Sequence, residues 1–187
     1  MVLRITTCQA ENTHAPARVV ADYIGNQLGI TTEFVLNLSW PERKTGLLNG
    51  DIHLGWICGF WYAQQAAGPH SPLKLLAAPV FSGIRYRNRP VYFSHVVVRR
   101  ESRIKRFTDL EGLTWVFNER NSLSGNHVMR WALAARGQNL SFFGQVKESG
   151  SHLLSMAMVA RGQADVAAID STVWDDVRSE EHTSELQ

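Results

Sequence analysis

Twice in this chain an apolar, extended run gives way to a serine- and glycine-rich turn and then to a stretch with helical apolar spacing. No other feature narrows the choice of fold as much. Leu113 to Phe117 leads into Asn121-Ser122-Leu123-Ser124-Gly125-Asn126-His127, and Phe142 to Val146 leads into Glu148-Ser149-Gly150-Ser151-His152. A helix start leaves backbone N–H groups without partners and carries a partial positive charge. Serine hydroxyls, with a glycine that lets the backbone come close, can turn such a start into a seat for an anion. Two seats about 25 residues apart, in consecutive βα units, would share one edge of a parallel sheet. Serine is also a favoured N-cap, so each turn alone reads equally as a plain helix start.

Strand–helix alternation extends over most of the sequence. Val2–Cys8 reads as a buried strand, and Pro16 suits the first turn of a helix in which Val19, Val20, Tyr23, Ile24 and Leu28 recur at helical spacing. Strands are expected over 31–38 and 51–58, with helices over 42–48 and 59–67. Two extended runs, 73–81 and 91–99, follow with no helix between them. Alternation then resumes with strand 113–117, helix 125–136, strand 142–147, helix 151–161 and strand 164–169. The order predicts an α/β protein of two doubly wound lobes, 1–97 and 98–177, joined by a long strand around Val96-Val97-Val98. A cleft between such lobes is where a ligand is expected.

Size and composition remove several other classes. The 187 residues, 44% hydrophobic and 19% charged, suit one large globular domain or two small ones. No apolar run approaches the roughly 18 residues of a membrane span. Met1 passes straight into a strand-like run without a basic or apolar leader. As written the chain would stay in the cytoplasm, unless it is a mature form or starts short of its natural beginning. Cys8 and Cys58 lack metal-ligand spacing and read as small buried thiols. His14, His53, His70, His95 and His127 have no partner at metal spacing, so neither a metal nor another cofactor is expected. The basic stretch Arg99 to Arg106 lacks interleaved aromatics and reads as a solvated face, not a nucleic-acid surface.

The last ten residues, Arg178 to Gln187, have no apolar periodicity and read as the translation of a widely used sequencing adapter. They are set aside as non-native, and the natural protein is expected to continue past Val177. Without them the net charge moves from +2 to +4, a balance that suits an anionic ligand.

Four segments carry a family resemblance. They are Gly50-Asp51-Ile52-His53-Leu54-Gly55-Trp56; Pro90-Val91-Tyr92-Phe93-Ser94 with Val96-Val97-Val98-Arg99; Asp109-Leu110-Glu111-Gly112 followed by Ser122-Leu123-Ser124-Gly125; and Ser149-Gly150-Ser151-His152 followed by Gly162-Gln163-Ala164-Asp165-Val166-Ala167-Ala168-Ile169-Asp170-Ser171. From about Val2 to Asp176 the chain resembles substrate-binding proteins of phosphate/phosphonate ABC transporters, which have the type 2 periplasmic-binding-protein fold. The resemblance implies a non-enzymatic, monomeric receptor that holds a phosphonate, phosphate or phosphite between hinged lobes and delivers it to an ABC permease. It places the protein in the periplasm or at the cell surface. The second crossing strand and C-terminal part of that fold would be missing here.

The resemblance also implies ligand contacts from Ser122, Ser124, Gly125 and Asn126, and from Ser149, Ser151 and His152. Asn126 stands where the family often has an aromatic. Asp170 is the candidate for holding the amine of an aminoalkyl phosphonate, or else a helix cap. Trp56 and Tyr92 would wall the site, or else fill the core. His152, at a helix start, would donate best to an anion when protonated, and its alternative is an exposed surface histidine. A cytoplasmic ligand-sensing domain of a regulator, built on the same lobes, is the competing function. An enzyme is disfavoured because neither a cysteine cluster nor a nucleophile–base pair is present.

Overall fold

A computed structural model describes residues 2–68 and 70–184. Met1, Pro69 and the last three residues of the tail therefore lie outside the described residues. The chain divides into two compact units, Met1–Ala77 and Ala78–Gln187.

Unit 1 is a three-stranded parallel sheet with helices between its strands: β1 (Val2–Thr7), α1 (His14–Leu28), β2 (Thr31–Phe34), α2 (Trp40–Asn49), β3 (Leu54–Trp56) and α3 (Gly59–Ala66). The strand order is β2-β1-β3. Helix α2 starts on a capping box in which Ser39 and Glu42 bond each other's backbone. It stops at Gly50, whose φ of 85° is left-handed. Cys8, Val35, Leu47, Ile52 and Trp61 form the core of this unit.

Helix α1 presents the face opposite to the one its large apolar residues suggest. Ala17, Ala21 and Gly25 are buried, whereas Val19, Val20, Tyr23 and Leu28 are exposed. The small residues let the helix lie close to the sheet: a Cβ on Gly25 would stand 2.8 Å from Thr32 Cγ2. Strand β2 ends at Phe34, four residues earlier than expected. Residues 73–81 form no strand. Pro72 just before that run and Pro79 within it supply no N–H for a ladder, and Leu75, Leu76 and Val80 stand exposed.

Unit 2 repeats the arrangement with one addition. It contains β4 (Ser94–Val98), β5 (Thr114–Phe117), a π-helical turn (Leu123–His127) running into α4 (Val128–Ala134), β6 (Gln145–Glu148), α5 (His152–Ala160), β7 (Val166–Asp170) and α6 (Ser171–Ser184). The order is β4-β7-β5-β6. Strands β5, β6 and β7 run parallel, and β4 pairs antiparallel with β7 from Ser94↔Asp170 to Val98↔Val166. That continuous ladder keeps the whole of β4 in unit 2, so the units divide at residue 77 and not at the 97/98 boundary read from element alternation. Strand β6 starts at Gln145 because Leu140–Phe142 is first taken into a 3₁₀ turn capped by the Asn139 side chain. Trp115, Phe117, Met129, Leu133, Phe142 and Phe143 lead the core.

Both units thus carry the same β-α-β-α-β order, 2-1-3 across the sheet. In such sheets ligands bind at the carboxyl ends of the strands, where the connections diverge. In unit 2 that point lies between β5 and β7.

Candidate functional site

The two serine-rich turns meet at the carboxyl edge of the unit 2 sheet. Pairing of β5 with β6 continues past the strands: Ser149 N–H donates to Phe117 O and Gly150 N–H to Asn118 O, each at 2.8 Å. Gly150, with φ of 99°, makes the bend that turns the chain from β6 toward α5. This stitching fixes Asn118, the first residue beyond β5, beside the start of α5.

Gly125 brings the first turn against the second. A Cβ there would collide with Asn118 Oδ1 and stand 3.0 Å from Asn118 Cγ and 3.1 Å from His152 Cε1. Asn118, Gly125 and His152 are therefore mutual neighbours. Ser124 Oγ donates to Asp170 Oδ2 at 3.3 Å, and Ser94 Oγ donates to Ser124 O at 2.7 Å. The structure draws together Ser124, Gly125, His152 and Asp170 of the residues expected from the sequence. It adds Asn118 and Ser94, to which the sequence reading gave no role. An asparagine directly after the central strand, at the divergence point, was the available signal for Asn118.

Two polar atoms of this cluster are buried without a hydrogen-bond partner: Asn118 Oδ1 and His152 Nδ1. The residues themselves are 4% and 5% exposed, so neither atom gains much from bulk water. His152 is consequently not a surface histidine. Burial pushes its pKa below the ordinary imidazole value, while the negative charge of Asp170 works in the opposite sense.

The remaining expected residues are placed as follows. Ser122 and Ser151 are N-caps whose hydroxyl oxygens accept from Gly125 N–H at 3.0 Å and Leu154 N–H at 3.1 Å. Capping uses a lone pair and leaves each hydroxyl proton able to donate, so cap and anion contact are compatible in one serine. Ser149 is instead committed internally, to Phe117 O, Ser151 O and Ser155 Oγ. Asn126 is likewise occupied: its Nδ2 donates to Arg120 O at 2.6 Å and its Oδ1 accepts from Arg130 Nε at 2.7 Å. The π-helical turn buries this residue.

Asp170 does act as a cap, with Oδ1 accepting from Thr172 N–H and Oγ1–H at 2.8 Å each. Oδ2 remains directed at Ser124. Tyr92 is half-buried just before β4, next to Phe93, whose backbone exchanges bonds with Ser171. Trp56 ends β3 in unit 1, also half-buried.

Burial also holds His95 and His127 of unit 2 below the usual histidine range. Unfolding frees these rings to bind a proton near their ordinary value of 6.5. Stability is therefore complete above that value and falls as pH drops through it toward the lower folded values. Thermal melts at about pH 7.5 and about pH 5.5 should show a lower Tm in acid. His152→Gln should reduce that difference, and an unchanged pH slope would show that His152 is not held neutral.

Helix starts, hydroxyls and an imidazole thus gather at a strand-edge divergence point of unit 2, the kind of place at which α/β folds take ligands. The family model for the periplasmic substrate-binding protein of phosphonate ABC transporters matches residues 5–187, and the chain belongs to that family. The fold is similar to PhnD1 of Prochlorococcus marinus, solved with methylphosphonate. Its TM-score is 0.72 at 20% identity, over 94% of this chain and 65% of that one. It is similar too to a binding component of an ABC phosphonate transporter from Pseudomonas aeruginosa (TM-score 0.70, 17% identity, 97% and 61% covered). A third likeness is the aliphatic sulphonate-binding protein SsuA of Escherichia coli (TM-score 0.61, 18% identity, 96% and 54% covered). The chain thus spans less than two thirds of the length of these three solved proteins. Among its described residues no helix is long and apolar enough to cross a membrane.

Proposed function

We propose that this chain is the substrate-binding component of an ABC transporter, capturing a phosphonate, phosphate or phosphite at the unit 2 turns and presenting it to the permease from the periplasm or cell surface. The reading has it act as a monomer and carry out no chemistry on its ligand. Its main support is the buried pair Asn118 Oδ1 and His152 Nδ1, side by side at Gly125 and without partners. Buried polar groups are almost always bonded, and such a pair at a strand-edge divergence point is placed to bond a ligand.

The pair also bears on which oxyanion is held. The amide oxygen of Asn118 can only accept, so it favours a guest that retains an O–H. A hydrogen phosphonate carries one, and a sulfonate at neutral pH does not. Hydroxyls of Ser122 and Ser151 supply donors for the charged oxygens. Four to six charge-assisted bonds, less ordering and desolvation costs, correspond to roughly micromolar affinity.

Calorimetric titration with methylphosphonate, phosphate, phosphite and ethanesulfonate tests this reading. Phosphorus oxyanions should bind at about micromolar Kd, with the sulfonate about 100-fold weaker. Ser124→Ala should weaken phosphonate binding about tenfold by releasing Asp170 to repel the anion. Absence of heat with every one of these oxyanions would sink the proposal.

A further inference from the structure

Unit 1 buries a cation that forms no ion pair among the described residues. Arg43 projects from α2 to the carboxyl end of β1, where its Nη1 donates to Thr7 O at 2.6 Å. The residue is only 6% exposed, and its Nε is buried with no partner. Among the described residues no carboxylate lies within ion-pair distance of it. Its positive field reaches His14, the first residue of α1, where it adds to the effect of burial in disfavouring the imidazolium, against Glu11. Thr13, just before that helix, gives its hydroxyl to Ala10 O and does not cap the helix N–H groups. A guanidinium has five N–H donors in a planar fork matched to a pair of oxygens. Burying one with a single carbonyl partner is strongly unfavourable unless an anion completes it.

We propose that Arg43 holds a small anion in unit 1, taking the paired oxygens of a carboxylate or phosphoryl group at the carboxyl edge of the β2-β1-β3 sheet. The anion sits where β1 and β3 diverge, the position in unit 1 that corresponds to the turns of unit 2. The inference rests on residues of unit 1 alone, so it stands whether or not the unit 2 turns bind a phosphonate.

The arginine Nε–H spectrum of the ¹⁵N-labelled chain reads this site directly, with the Arg43 signal identified by its loss in R43K. Inorganic phosphate and acetate are titrated separately at constant ionic strength. The Arg43 signal should shift and saturate, and the anion giving the tighter curve tells a phosphoryl from a carboxylate guest. R43K keeps the charge but not the fork and, followed by calorimetry, should bind that anion about tenfold more weakly. R43M should melt no lower than the wild type in anion-poor buffer and lose the stabilisation that the anion gives the wild type. An Arg43 signal that neither anion moves overturns the proposal. So does an R43M chain that melts lower in anion-poor buffer yet gains the same anion-dependent stability, which would make Arg43 a tie to Thr7 only.

Discussion

Gly125→Ala should lose phosphonate binding by about 100-fold or more, a larger effect than removing any single hydroxyl at the site. The added methyl has nowhere to go. It would overlap the Asn118 amide and press on the His152 ring, 3.1 Å away, and both side chains are buried. Asn118 has little room to swing aside, because it is only 4% exposed and its backbone is anchored through Gly150 N–H. The turn must therefore shift, and the two helix starts separate. Overpacking of this kind costs about 1–3 kcal/mol of stability. The double variant Gly125→Ala with Asn118→Ala tests the cause. Relief of the clash should return most of the lost Tm, whereas binding should stay weak because the amide is gone. Calorimetry on both variants reads the outcome, and a Gly125→Ala protein that binds methylphosphonate as the wild type does would show that the contact has no bearing on the site.

Trp115→Ala should be the most destabilising single change in unit 2, by about 3–5 kcal/mol. At a few degrees per kcal/mol, that is a fall in Tm of about 10 °C. Trp115 lies on the central strand, fully buried, with ring centroids 5.3 Å from Phe117 and 5.2 Å from Phe143. Its indole Nε1 is buried without a partner. Trp115→Phe should thus cost far less than alanine, about 1 kcal/mol, since it keeps aromatic packing and removes an unsatisfied donor. Equal losses for phenylalanine and alanine would mean that the indole is engaged in a way its packing does not explain. Phosphonate affinity, measured below the melting range, should change little, because the strand end at Asn118 is also held through β6.

Legibility in the sequence followed the range of the interactions involved. The second-half elements were readable because each strand, cap and turn there is specified by neighbours within a few residues, as at Ser122 and Ser151, both true N-caps. The same local logic failed for α1. Val19, Tyr23 and Leu28 share a helical spacing with a core stripe, but burial went to Ala17, Ala21 and Gly25 because close approach to Thr32 needed small residues. Helical periodicity identifies an apolar stripe; it cannot say which stripe the sheet will accept. The 73–81 run failed for a related reason: a strand needs a partner, and the sequence does not name one.

The site divides in the same way. Serines and glycines at helix starts are legible as caps and as the basis of the proposed anion seat, since their chemistry is local to the turn. Which of these polar side chains remain open depended on bonds made only once the turns had folded. Ser149 and Asn126 turned inward, to Ser155 and to Arg120 and Arg130, while Asn118 entered from the neighbouring strand end. Arg43 was invisible for the complementary reason, because a lone arginine on a helix reads as a surface charge until its burial and missing acid are seen. The sequence by itself determined the alternation of strands and helices, the family, and the positions of the two serine-rich turns. Only the tertiary structure decided which helix face is buried, where the units divide, and which polar atoms are left without partners. Those outcomes depend on packing between residues tens of positions apart, and no local pattern encodes it.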